Sequence, residues 1–188
     1  MANVINSPYL LVGNSTLARL VNLVELELGL ENSGFCFTSR DFDTESISKD
    51  SIYLSESVPD TYSYFPTVGD NNTRLSIVDL VSGKEANSLI SPRSSVAKDA
   101  KIESMCLVMS NVFIGNNVVV NKSTIILPGV VITHDIEIGA GCFISPNAVL
   151  SGNVKIGNSV KIGSGAVVPP NSFVPEGTII GPNEVFSA

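Results

Sequence analysis

The chain has 188 residues, 44% of them hydrophobic and 6% aromatic, with no Trp, which is enough aliphatic side chain for one large or two modest folded units. A net charge of −7 argues against nucleic acid or an anionic membrane as partner. No segment has the apolar length of a membrane span, and the first residues lack a basic-then-apolar signal pattern, so the cytoplasm is the expected compartment.

In chain order, Pro8 to Val12 is a short apolar run suited to a buried strand, and Gly13-Asn14-Ser15 is a turn. Thr16 to Leu28 carries Leu17, Leu20, Val21, Val24 and Leu28 at helical spacing, with Ser15 as N-cap and Gly29 as the stop. Gly34 to Thr38 reads as a second strand. Residues 39–64 are polar and poorly periodic, and Phe65 to Val68 reads as a third strand. Gly69-Asp70-Asn71-Asn72 then opens a helix over Thr73 to Val81. This order predicts a small doubly wound α/β (Rossmann-like) unit over residues 1–86.

Such a unit binds phosphate at its first strand-to-helix turn, where helix N-terminal amides point outward. Here that turn, Val12-Gly13-Asn14-Ser15-Thr16, has a single glycine. Asn14, Ser15 and Thr16 can donate to a sugar or phosphate, and an ordinary capped turn has the same composition. The Gly69 turn has the same two readings. Residues 1–89 hold 12 acidic and 5 basic side chains, against 6 of each in residues 90–188, and this excess acid counts against a nucleotide diphosphate.

From Ile90 onward, every sixth residue is Ile, Val or Leu: Ile90, Val96, Ile102, Val108, and so on without a slip to Val174 and Ile180. No α-helix or plain strand keeps that phase, and a six-residue period indicates a parallel β-helix. Two residues beyond each of these stops Pro recurs, and three beyond it Gly, Asn or Asp, as in Pro128-Gly129 and Pro146-Asn147. That is the chemistry of a turn whose second central residue has positive φ. Each hexad is thus a short strand plus one corner, and three hexads close a triangular coil. The stops and the residues four beyond them fill an apolar interior, so any chemistry lies outside. Cys106 and Cys142 occupy such inward slots two coils apart, about 9.6 Å at ~4.8 Å per rung, too far to bridge. With Cys36, they make no disulfide framework.

His134 is the only histidine. It lies two beyond Ile132, a corner position, so it points away from the core. Its stacked neighbours, eighteen residues either way, are Asn116 and Gly152, and Gly152 leaves space beside the ring. Asp135 follows. A neutral imidazole is a natural general base, and a carboxylate fixes its tautomer. Turn chemistry alone also accounts for Asp135, because Asn117 and Asn153 hold the same slot in adjacent coils. One histidine without clustered partners argues against a metal site.

An α/β unit followed by uninterrupted hexads, with Ile132-Thr133-His134-Asp135 and then Ser151-Gly152-Asn153-Val154-Lys155-Ile156-Gly157, resembles the left-handed β-helix sugar acetyltransferases. These are the sialic acid O-acetyltransferases and the N-acetyltransferases of nucleotide-linked amino sugars. The resemblance implies a left-handed β-helix over residues 87–188, a homotrimer, and acetyl-CoA bound between neighbouring β-helices. It implies His134 as base, Asp135 as the acid that raises its basicity, and Gly152 as the donor of an oxyanion-stabilising N–H. It places Gly13, Ser15, Thr16 and Gly69 in the sugar-nucleotide pocket. Phe143, Ser164 and Gly181 fall at coenzyme-contacting positions, with Phe143 where relatives place a second histidine. The chain departs from the family in its glycine-poor first turn. It also ends at Ala188 without the usual Gly-x-Pro-Ala-Lys tail, and its only Lys or Arg beyond residue 122 are Lys155 and Lys161.

The expected function is acetyl transfer from acetyl-CoA to an amine or hydroxyl of a sugar, free or nucleotide-linked. The alternative is a non-catalytic trimeric scaffold or sugar-binding protein that has lost donor binding.

Overall fold

A computed structural model of the chain describes residues 9–13, 16–30, 35–37, 52–53 and 61–187. The first half is built on four parallel strands: β1 (Tyr9–Val12), β2 (Phe35–Phe37), β3 (Ile52–Tyr53) and β4 (Ser63–Pro66), in the spatial order β3-β2-β1-β4. β1 is central because all four of its side chains are buried, as a strand covered on both faces requires. The strand order reverses between β1 and β4. β4 lies two residues earlier than the apolar run suggested, in register with β1 from Tyr9 opposite Ser63 to Val12 opposite Pro66. β3 falls in the stretch read as aperiodic, and two residues are too few to show a period.

Helix α1 (Thr16–Leu28) has the expected bounds. It ends because Gly29 takes φ +67°. Gly29 N–H then donates to Leu26 O at 3.3 Å and Leu30 N–H to Glu25 O at 2.9 Å, a Schellman stop. The expected cap at Ser15 lies outside the described residues. Helix α2 (Asn71–Leu80) starts two residues before its predicted bound. Asp70 Oδ1 accepts from Thr73 N–H at 2.8 Å and Thr73 Oγ1 at 2.7 Å, so Asn71 and Asn72 form the first turn of the helix.

The hexads form sixteen short strands in three parallel sheets of six, five and five. Pairing is always between residues eighteen apart, as Ile114 with Ile132 and Ile132 with Leu150. We call the three faces by their first stop: the Ile90, Val96 and Ile102 faces. From Met105 to Asn183, every residue three beyond a stop has positive φ, including ten that are not glycine. The interior is a single apolar column of stops and inward residues, from Val108 and Cys106 to Ile180. Cys106 and Cys142 are free and buried there. Burial pushes their thiols up to about 12 and about 11.

The two halves share a second core, outside that column. The residues just before the stops of the Ile90 face point outward, yet Leu89, Leu107 and Ile125 are fully buried among Leu11, Val21, Phe65 and Val78 of the α/β half. Further along the face Lys161 and Ile179 are exposed. The α/β half therefore sits on the first four strands of that face.

Candidate active site

His134 and Asp135 occupy the corner between the Val96 and Ile102 faces. Asp135 is held at φ +55° by the turn, and Asp135 Oδ2 lies 2.8 Å from His134 Nδ1. Asp135 Oδ1 accepts from Asn117 Nδ2 at 2.7 Å, one coil below. The Asn117 bond, then the His134 bond, hold the Asp135 carboxyl below its usual range. An ionised carboxylate only accepts, so Nδ1 carries the proton and the Nε2 lone pair is left for an incoming group. The pair is open, with side-chain exposures of 58% and 47%.

Gly152 is what lets the imidazole lie there. A Cβ built on it would stand 2.6 Å from His134 Cε1 and 2.8 Å from Nε2. Its N–H donates to no acceptor among the described residues. The same corner slot holds Pro128, Pro146, Pro170 and Pro182, which have no N–H, so the ladder never uses this donor. His134, Asp135 and Gly152 are thus brought together as expected.

Gly13 lies at a different place, beside the Thr67–Val68 segment that leads to Gly69. Gly13 follows β1 with φ +98°, and a Cβ there would lie 3.2 Å from Val68 Cγ2. Thr67 Oγ1 donates to Val12 O at 2.9 Å and Gly13 O at 2.6 Å, tying the two strand ends together. This is the switch point of the sheet, where open α/β sheets bind ligands. Ser15 and the Thr16 side chain lie outside the described residues. Beyond Gly69, a cleft of about 220 Å³ runs between the start of α2 and the coils at Ser159, Lys161 and Gly177.

The sequence reading missed Arg74, which fixes this loop to the β-helix. It is fully buried. Its guanidinium donates to Val68 O at 3.0 Å, to Ser123 O at 3.0 Å, to Gly141 O at 2.7 Å and to Asn71 Oδ1 at 2.9 Å. Desolvation lowers its pKa to about 10. The signal was present: Asn71, Arg74, Ile77 and Val78 share helical phase, so Arg74 lies on the buried face of α2.

The expected donor positions scatter. Phe143 is half-buried under the α/β half, with the Arg74 guanidinium 6.0 Å from its ring centroid. Ser164 is exposed at the corner between the Ile90 and Val96 faces. Gly181 lies at the same corner, and its N–H donates to Glu184 Oε2 at 2.6 Å. In one chain, Ser164 and Gly181 are therefore at one edge of the Val96 face, His134 is at the other, and Gly13 and Gly69 are on the α/β half. Among the described residues, no group of three His, Cys, Asp or Glu could hold a metal, and no helix is long and apolar enough to cross a membrane.

The bacterial transferase hexapeptide model, of six repeats, matches residues 117–152 and 135–170. Residues 117–170, in the middle of the β-helix, thus match the transferase hexapeptide repeat. The chain is similar in structure to the acetyltransferase domain of PglB from Neisseria gonorrhoeae in complex with acetyl coenzyme A. Identity is 25% over 97% of this chain and 91% of that one, with a TM-score of 0.83. It is also similar to PerB from Caulobacter crescentus in complex with CoA and GDP-perosamine, at 22% identity over 96% and 89%, with a TM-score of 0.81. No curated protein matches the chain. The fold class is therefore the left-handed hexapeptide β-helix behind an α/β unit, as the resemblance implied.

Proposed function

We propose that the chain transfers the acetyl group of acetyl-CoA to an amine or hydroxyl of a sugar, free or nucleotide-linked, with His134 as general base. The enzyme class is acetyl-CoA-dependent sugar acetyltransferase. The observation that carries this reading is the His134–Asp135 pair lying against Gly152, on a fold shared with an acetyltransferase domain that binds acetyl coenzyme A. The acceptor heteroatom attacks the thioester carbonyl carbon while Nε2 takes its proton. The oxyanion of the tetrahedral intermediate is stabilised by the unused Gly152 N–H. Collapse expels the coenzyme A thiolate, which takes the proton back from the imidazolium. Gly13, Ser15, Thr16 and Gly69 are the proposed acceptor-side positions. Phe143, Ser164 and Gly181 are the proposed donor-side positions, Ser164 and Gly181 through their backbones.

His134 lies apart from Ser164 and Gly181 in one chain, so the active unit is proposed to be a homotrimer in which they meet between copies. Support comes from the Val96 face. Beyond Ser95, its outward residues Phe113, Val131, Val149, Val167 and Val185 form an apolar ladder that no part of the described chain covers, with Phe113 46% and Val185 63% exposed. The equivalent Ile102 face presents Lys101, Val119, Glu137, Lys155 and Phe173. An uncovered apolar patch of this kind marks an interface. His134 and Ser164 flank that ladder on opposite edges, so a head-to-tail ring sets the base of one copy beside the donor positions of the next.

Thiol release from acetyl-CoA with a panel of amino and hydroxy sugars tests the activity. His134→Ala is expected to lower turnover by about 10²–10⁴-fold with its melting temperature unchanged; full activity in that variant overturns the base assignment. Calorimetry showing no acetyl-CoA binding at millimolar donor would favour the scaffold reading. A monomer by light scattering would remove the trimer.

A further inference from the structure

We propose that Asn117 is a positioning residue of the active site: it aims the Asp135 carboxylate, and through it selects the His134 tautomer that acts as base. This rests on His134 being the base.

Asp135 Oδ1 and Oδ2 have different partners. Oδ1 accepts from Asn117 Nδ2 at 2.7 Å and Oδ2 faces His134 Nδ1 at 2.8 Å. Asp135 is half-exposed, and an open carboxylate with one partner can rotate or turn to water. A donor on the second oxygen fixes the carboxylate plane, leaving Oδ2 aimed at the ring. Asn117 is itself anchored. Its N–H donates to Asp99 Oδ2 at 3.0 Å, and the Asn116 side chain donates to Asp99 Oδ1 at 3.0 Å. Asp99, Asn117, Asp135 and His134 thus form one ladder up this corner.

The other corners show that this is more than turn chemistry. The slot three beyond a stop tolerates Gly129, Gly141, Gly165 and Gly177, so the backbone needs only positive φ there, not an amide side chain. Asn171 holds the same slot two coils above Asp135, and among the described residues its side chain makes no hydrogen bond to the corner below. At Asn117 the amide meets a carboxylate that is itself bonded to the histidine. A neutral histidine side chain in water prefers the proton on Nε2, which would occupy the atom needed to accept the acceptor's proton. The ladder holds it on Nδ1.

Asn117→Gly is the informative variant, because glycine keeps the φ +54° turn without strain. As His134 is the sole histidine, its ring nitrogens give a single pair of ¹⁵N signals. In the wild-type protein the neutral ring is expected to carry its proton on Nδ1. In Asn117→Gly the signals move toward the Nε2–H form, and kcat falls by about tenfold, part of the ~10²–10⁴ that a general base contributes. KM for both substrates is unchanged, and so is the melting temperature. The exchange N117D with D135N restores both bonds with the amide and carboxylate reversed, and it returns the proton to Nδ1. A wild-type tautomer ratio in Asn117→Gly overturns the proposal, whatever the rate. If His134→Ala is fully active, the base assignment fails instead, and the tautomer measurement still decides what Asn117 does.

Discussion

Gly152→Ala isolates the position of the imidazole from everything else at the site. Gly152 has no positive φ, so alanine is compatible with its backbone. The N–H is kept, so the proposed oxyanion donor survives. The added methyl would fall 2.6 Å from His134 Cε1, 2.8 Å from Nε2 and 3.3 Å from Nδ1. The first two are well inside van der Waals contact, so the ring must swing away. The fold need not respond, because the obstructed atoms are the end of a mostly exposed side chain. Swinging the ring breaks the 2.8 Å bond to Asp135 and moves Nε2. The expected rate loss approaches that of deleting the base, about 10²–10⁴-fold, or roughly 3–5 kcal/mol of barrier. Stability should change by no more than about 0.5 kcal/mol. Thiol release and thermal melting on the same samples measure both. Full activity would show that the ring's place against Gly152 is irrelevant to the reaction. A large fall in melting temperature would show that the corner, and not the base, had been damaged.

Ser123→Gly should stabilise the protein. Ser123 sits at φ +59° with its buried hydroxyl unpartnered among the described residues, and removing both faults, less the added chain entropy of glycine, gains about 1 kcal/mol, seen as a rise of about 2–4 °C in Tm. A fall would mean the hydroxyl has a partner. Glu27, which accepts from Ser91 and Ser110 and pairs with Arg93, has its pKa lowered from 4.5, chiefly by Ser91. Its contribution to stability is therefore present above pH 4.5 and lost as pH falls through the lower folded value; Glu27→Gln should flatten that acid limb in chemical denaturation, and an unaltered limb would assign it to other carboxylates. Proline at Asn116 or Ser164, whose N–H groups donate to nothing among the described residues, should be tolerated, whereas at Val120 or Ile138 it should unfold the chain. Equal tolerance by circular dichroism would contradict the register.

The β-helix was legible in the sequence because its period is local. Each hexad repeats the same strand and corner, so one phase, begun at Ile90, names the interior, the left-handed slots and the outward place of His134 without any distant contact. Gly152 could be set beside His134 for the same reason, since stacking is a fixed step of eighteen. α1 was legible from its periodicity and its glycine stop. Contacts between distant segments were not legible. Leu89, Leu107 and Ile125 belong to outward positions of the repeat, and only the docking of the α/β half buries them. Arg74 looks like a surface charge until the carbonyls of three turns, at Val68, Ser123 and Gly141–Cys142, close around it. Asn117 looks like a turn residue until its amide is seen on Asp135. The separation of His134, Ser164 with Gly181, and Gly13 around the prism is also a tertiary fact. A repeat specifies which face a residue takes, but which faces are covered depends on complementary surfaces that no local pattern encodes.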